Sequence, residues 1–267
     1  MKHEFRALNG TPFTLERAPA DDKPAVFFLS VHKAGSTLLQ RLVRDLCEAS
    51  ERPLVELEPD LFREGIVLSD CPLELIMWLE ETGYVFSGFR SPWILHFVRQ
   101  YREGRKLLLI RDPRDIAVSF YFSMAKSHAL PAKGEARAAI LSRREQTAGL
   151  TPSQYVLEGR ANDVLRNIMQ FSRHVDLYGD FNVVRYEDII FDKMTLSQTI
   201  VDLMEADVPA SQMRLITARH DVRPAQERPD AHIRQVTPGN YKVHLSDEAQ
   251  SYLWQHFQPI FTRFNYN

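Results

Sequence analysis

Lys33, Gly35, Ser36 and Thr37 stand together in the stretch VHKAGST, between an apolar run (AVFFL, 25–29) and a stretch with helical apolar spacing at 37–49. Backbone amides in the first turn of a helix lack intrahelical acceptors and carry the positive end of its dipole, so an anion is their natural guest. Lys33 adds a full charge, and Ser36 and Thr37 add hydroxyl donors. The order of residues is not that of a Walker A loop, because Lys33 precedes Gly35 and no glycine stands close before it. A plain strand–turn–helix joint capped by Ser or Thr would use the same residues, with His32 shaping the turn.

Three more clusters carry chemistry. In LLLIRDPRDIAVSF, Arg111 ends an apolar run at 105–110 and Ser119 follows on the next helix. Together they would grip one anionic group from two sides, although an Arg near a helix start and a surface Ser are common by themselves. In VVRYEDI (183–189), Tyr186 is placed to lie beside a purine, while Glu187 and Asp188 suit a helix N-terminus. In HIRQVTPGNYK (232–242), Arg234, Gly239 and Lys242 would fold a nest of amides and a guanidinium over a phosphate. An ordinary solvated loop is the plain alternative.

The elements that must position these residues follow from periodicity. Strands are expected at 23–31, 53–57, 84–89, 105–110 and 181–188, and helices at 37–49, 73–81, 92–104, 112–125, 151–179 (one or a pair), 195–205, 209–219 and 246–257. Residues 1–22 read as a polar N-terminal arm and 126–150 as an insertion bearing His128, Lys126, Lys133, Arg137, Arg143 and Arg144. Alternating strands and helices with short connections predict an α/β fold with a central parallel sheet of about five strands and helices on both faces. Ligands in such sheets bind beyond the carboxyl ends of the strands, where every cluster above falls.

The 267 residues hold 33 Lys+Arg against 35 Asp+Glu, a net charge of −2, which speaks against a nucleic-acid partner. Hydrophobic residues make up 44%, too many for a disordered chain. No apolar run is long enough to span a bilayer, and Glu4, Glu16, Asp21 and Asp22 precede the first one, unlike a signal peptide. No Cys/His cluster has metal-ligand spacing. Cys47 and Cys71 are expected as reduced, packed thiols in a cytoplasmic protein. The oligomeric state is not readable from the sequence.

Taken together and in this order, the four clusters resemble the sulfotransferases that use 3′-phosphoadenosine 5′-phosphosulfate (PAPS). HKAGSTLLQ is similar to that family's 5′-phosphosulfate loop, IRDPRDIAVSF to its 3′-phosphate segment, RYEDI to its Tyr-Glu-Asp segment and IRQVTPGNYK to its late basic loop. The resemblance implies a P-loop-like three-layer fold, a single domain over 23–267 and an acceptor-side insertion at 126–150. It implies that Lys33 neutralises the leaving oxygen and that the amides of Ala34, Gly35, Ser36 and Thr37 hold the 5′-phosphate. Arg111, Ser119 and Arg234 would bind the 3′-phosphate, with Gly239 in the late loop and Tyr186 near the adenine. The acceptor would be a hydroxyl or amine of a small molecule or carbohydrate, and no metal is required.

This chain departs from the family's pattern. Leu38 replaces an adenine-stacking Trp, and Gln235, Val236, Asn240 and Tyr241 replace Lys-Gly and Asp-Trp of the late loop. Arg90, in GFRSP, stands where the cytosolic branch has a catalytic His, and a guanidinium cannot serve as a base. Arg90 would instead hold an anionic acceptor or the sulfuryl group. The glycan-modifying branch uses a Glu, and VELEPDLF provides Glu56, Glu58 and Asp60. Glu58 is the favoured base, read at the end of the second strand on one face with Glu56. His96 is a reserve candidate. Two other readings compete: an ATP-dependent P-loop kinase, and a non-catalytic nucleotide- or glycan-binding module.

Overall fold

Continuous apolar runs form strands here because helices cover both faces of the sheet they build. In the computed structural model, which describes residues 1–127, 135–223 and 235–266, β1 (Lys2–Arg6) and β2 (Pro12–Glu16) precede β3 (Val26–Ser30) and α1 (Ser36–Ala49). Then come β4 (Leu54–Glu56), α2 (Leu57–Glu64), α3 (Glu74–Leu79), β5 (Val85–Phe89), α4 (Arg99–Glu103), β6 (Arg105–Ile110) and α5 (Pro113–Phe122). The second half holds α6 (Glu135–Thr147), α7 (Pro152–Leu157), α8 (Asn162–Tyr178), β7 (Phe181–Arg185) and α9 (Tyr186–Ile189). It ends with α10 (Lys193–Met204), α11 (Ala210–Arg219), α12 (Tyr241–His244) and α13 (Asp247–Arg263).

Five strands pair in parallel in the order β4-β5-β3-β6-β7. Side chains alternate across the sheet. Val26, Phe28, Leu107 and Leu109 meet α1, α10 and α11 on one face, and Phe27, Leu29, Leu108 and Ile110 meet α5, α7, α8 and α13 on the other. Three layers with two cores result, as the strand–helix alternation predicts. Phe27 has no exposed surface and stacks 4.8 Å from Phe86, locking β3 to β5. Among the described residues, no helix is long and apolar enough to cross a membrane.

The topology places the site. From β3 the chain crosses to β4 at one edge, whereas from β6 it crosses to β7 at the other. The connections therefore diverge above the neighbouring carboxyl ends of β3 and β6, the crevice where such sheets take ligands. Lys33–Thr37 leave one of these strands and Arg111 leaves the other.

Several expected elements differ. Residues 1–22 contain a β-hairpin, with Phe13 and Leu15 buried by strand alternation and Phe5 edge-on to Trp78. The helix expected over 92–104 breaks into a 3₁₀ turn at Ile94–Phe97 and the short α4, because Val98 between them is extended. The strand expected to reach 188 stops at Arg185, so Tyr186 opens α9. The last helix runs on to Arg263 through Pro259, with a kink at Phe257. Glu58 lies in the first turn of α2 rather than at a strand end. Its alternation with Glu56 therefore does not hold. Within 126–150, α5 runs through a π-helical turn at Ser123–Ser127 and α6 follows. His128 and Lys133 lie outside the described residues.

Candidate functional site

The connection from β3 to α1 is bent into a shape that few sequences adopt. Lys33 (φ 68°) and Gly35 (φ 91°) are both left-handed, on either side of the fully buried Ala34. Alternation of this kind turns successive amides inward as a nest for an anion. A non-glycine residue held at positive φ costs energy, which the surrounding structure must supply. Gly35 also has no room to grow: a Cβ there would lie 2.9 Å from Cδ2 of Tyr186 and 3.3 Å from Cδ2 of Leu109. As the N-cap of α1, Gly35 makes no side-chain hydrogen bond to cap that helix. Ser36 and Thr37 are half-buried in that turn.

Arg111 enters the same crevice from β6. It is 5% exposed, its Nη1 reaches the carbonyl of Lys33 at 3.4 Å, and its guanidinium lies 4.6 Å above the Tyr186 ring. Tyr186 is buried under the loop and donates its hydroxyl to the carbonyl of Val236 at 3.0 Å; burial pushes its phenol up to about 12. In this position it supports Gly35 and Arg111 from beneath.

A residue that sequence reasoning missed ties these parts together. Asp115, 1% exposed on α5, accepts Arg111 Nη2 at 3.2 Å. It also accepts the backbone amides of Gly239 and Tyr241, each at 2.9 Å. The late loop, where Gly239 is left-handed (φ 84°), thus docks on the carboxylate that orients Arg111. Its position four residues after Arg111 was the available signal; its other partners are far away in sequence. Ser119, half-buried, follows one helical turn later on α5. Arg234 lies outside the described residues. Glu187 accepts the Asp112 amide at 2.9 Å and the Tyr266 hydroxyl at 3.0 Å, joining β6 to the C-terminal segment. A cavity of about 230 Å³ opens beyond Gly239, but Arg114 there is paired with Asp112 at 2.7 Å and stacked 4.1 Å from Tyr241.

On the other side of the anion loop stand the acids. Glu58 Oε1 accepts the backbone amides of Arg90 at 2.7 Å and Ser91 at 3.2 Å. Burial pushes its carboxyl up to about 7, against the lowering pull of those amides and of the Arg90 charge. A carboxyl that ionises near neutrality is suited to take a proton from an acceptor. Glu56 differs, because Arg44 Nη2 at 2.7 Å and Gln40 Nε2 at 2.8 Å both donate to its carboxylate. Asp60 pairs with Arg63. His96 is exposed and bonds the hydroxyl of Tyr178, just before β7 begins, and so lies at the amino ends of the strands, away from the crevice. Its partner His174 is held down to about 4 by burial and bonds Tyr101 at 3.0 Å. The structure therefore brings Lys33–Thr37, Arg111, Tyr186 and Gly239 to one crevice and sets Glu58 and Arg90 beside it. It leaves His96 apart. Among the described residues, no group of three His, Cys, Asp or Glu side chains could hold a metal ion.

No protein-family model matches the chain, and no curated protein sequence matches it. Solved structures do. Mouse sulfotransferase SULT7A1, complexed with PAP, aligns with a TM-score of 0.57 and 16% identity over 93% of this chain and 86% of that one. Retinol dehydratase in complex with androsterone and inactive cofactor PAP aligns at 0.46, with 17% identity over 91% of this chain and 81% of the other. The same enzyme with retinol and PAP aligns at 0.47, with 15% identity over 89% and 81%. The first of these likenesses shows that the chain has the sulfotransferase fold.

Proposed function

We propose that this protein transfers a sulfuryl group from PAPS to a hydroxyl or amine of a small-molecule or carbohydrate acceptor. The observation that carries this reading is the pairing of two anion-binding elements above β3 and β6: the left-handed Lys33–Gly35 loop and the buried Arg111. Their separation on two strands suits a donor with phosphates at both ends of its ribose. The shared fold with a sulfotransferase crystallised with PAP supports it.

PAPS supplies an activated sulfuryl group and a stable nucleotide leaving group. Toward it, the amides of Ala34–Thr37 and the hydroxyls of Ser36 and Thr37 would hold the 5′-phosphate. Lys33 would neutralise charge on the departing oxygen, which stabilises the transition state electrostatically. Arg111 and Ser119, with Arg234, would take the 3′-phosphate. Tyr186 supports that pocket from below and Gly239 closes it through Asp115. Glu58 would remove the acceptor proton. Buried, reduced Cys47 and Cys71 fit a cytoplasmic setting.

A P-loop kinase would need a Walker A loop and a strand-end Asp for Mg²⁺, and β6 leads into Arg111 instead. A purely binding module would not need Lys33 at a leaving oxygen. Calorimetric titration with 3′-phosphoadenosine 5′-phosphate, and with ADP in the presence and absence of Mg²⁺, separates these readings. Charge-assisted bonds to the 3′-phosphate should favour PAP by about 3–6 kcal/mol, independently of metal. Equal binding, or preference for ADP with Mg²⁺, would sink the proposal.

A further inference from the structure

A small cavity of about 10 Å³ lies between the first turn of α1 and the end of β5, with Ser30, Ser36, Gln40, Ser87 and Arg90 in its wall. That is room for about one oxygen atom. Ser87 is 1% exposed, and its Oγ meets no hydrogen-bond partner among the described residues. A buried hydroxyl in that state calls for a ligand to complete it. Glu56 is occupied by Arg44 and Gln40, and the acid that feels the Arg90 charge is Glu58. The strand end is fixed firmly: at Gly88 (φ 86°) a Cβ would fall 2.6 Å from Pro59 Cδ, so β5 is pressed onto the start of α2. This contact sets Arg90 beside Glu58, which its backbone amide bonds at 2.7 Å.

Arg90 thus stands between the anion loop, through Ser36, and the base, through Glu58. In an in-line transfer the moving group passes between those two points. Building on the sulfotransferase reading, we infer that Ser87 and Arg90, beside the Ser36 that holds the 5′-phosphate, form a pocket for one oxygen of the sulfuryl group, and that Arg90 is a catalytic residue of this chain. As the sulfur–oxygen bond to the 5′-phosphate breaks, its electron pair stays on the phosphate oxygen beside Lys33. The new bond forms from the acceptor oxygen to sulfur, and the acceptor proton passes to Glu58. Arg90 neutralises the sulfuryl oxygens throughout. A one-oxygen cavity shared with Ser36 fits this group better than a carboxylate or phosphate carried by the acceptor.

The test compares PAPS with PAP, which lacks only the sulfuryl group, by calorimetry without acceptor. Arg90→Ala should weaken PAPS binding about tenfold and leave PAP within about twofold. Ser87→Ala should weaken PAPS about threefold and spare PAP. Arg90→Lys, which keeps the charge, should recover part of the loss and guards against a folding defect, with thermal melting as a control. Equal losses for both nucleotides would place Arg90 in the nucleotide pocket. Unchanged PAPS affinity in Arg90→Ala and Ser87→Ala would turn both toward the acceptor. Either result overturns the assignment. Failure of the wild-type protein to prefer PAP over ADP would instead refute the sulfotransferase reading itself, a separate outcome.

Discussion

Asp115→Asn is the substitution that tests the architecture of the nucleotide side most directly. The carboxylate accepts three bonds: Oδ2 takes Arg111 Nη2 at 3.2 Å and the Gly239 amide at 2.9 Å, and Oδ1 takes the Tyr241 amide at 2.9 Å. Asparagine has the same shape but one acceptor oxygen. In its better orientation that oxygen keeps Arg111 and Gly239, and its amide group then faces the Tyr241 N–H, donor against donor. One buried amide is left unsatisfied, at about 1–3 kcal/mol. Arg111, itself 5% exposed, loses its countercharge; losing one partner of a buried pair costs about 3–5 kcal/mol, and retention of one neutral bond recovers part of it. A net loss of about 3–5 kcal/mol is expected, a large share of the stability of an ordinary domain. Urea unfolding at neutral pH measures it, and calorimetry with PAP reads the site. PAP affinity should fall at least about tenfold as Arg111 loses its orientation. An unfolding midpoint within error of the wild type would refute the tie between α5 and the late loop. Lost stability with unchanged PAP binding would refute its role in positioning Arg111.

Two further predictions follow from the geometry. The Glu58 carboxyl ionises near 7 in the fold instead of its ordinary 4.5, so the folded state holds its proton more tightly than the unfolded chain. Its contribution to stability is therefore full at acid pH and is lost as pH rises from about 4.5 to about 7. Glu58→Gln, which keeps an acceptor for the Arg90 amide, should match the wild type in thermal melts at pH 5 and exceed it at pH 8. An equal difference at both pH values would refute the raised ionisation. Gly35→Ala forces a methyl to 2.9 Å from the Tyr186 ring at φ 91°. About 1–3 kcal/mol of destabilisation and loss of PAP binding are expected, and wild-type behaviour in both assays would show that the loop is not so constrained.

How much of this was legible depends on how far apart the cooperating residues lie. The strand VFFLS and the helix after it are local patterns, and they appear where periodicity puts them. The hairpin also had a local signal, Asn9-Gly10 followed by the alternating PFTLE, but the charged strand KHEFR before it reads as a solvated arm. The segment around Glu58 is ambiguous for a physical reason. Proline is tolerated in the first turn of a helix because no N–H is needed there, so Leu57-Glu58-Pro59 reads equally as a strand end or a helix start, and packing of α2 against β5 decides it. Asp115 shows only Arg111 as a near neighbour; its bonds to Gly239 and Tyr241 are made by the tertiary fold.

The same division explains why the β3–α1 side of the crevice is easier to recognise than the side formed by Glu58 and Arg90. An anion nest is built from a few consecutive residues between one strand and one helix, so its sequence carries the whole instruction. The other side is assembled from two segments, α2 and the end of β5, that are held together by the close approach of Gly88 and Pro59. Nothing in either segment alone specifies a base. Glu58 acquires its raised ionisation only where burial outweighs the amides of Arg90 and Ser91. Arg90 joins the two sides, through its backbone amide to Glu58 and through its place in the wall of the cavity that Ser36 also lines. On the proposed reading, a substitution there disturbs sulfuryl recognition and leaves the β3–α1 loop and its proposed hold on phosphate intact.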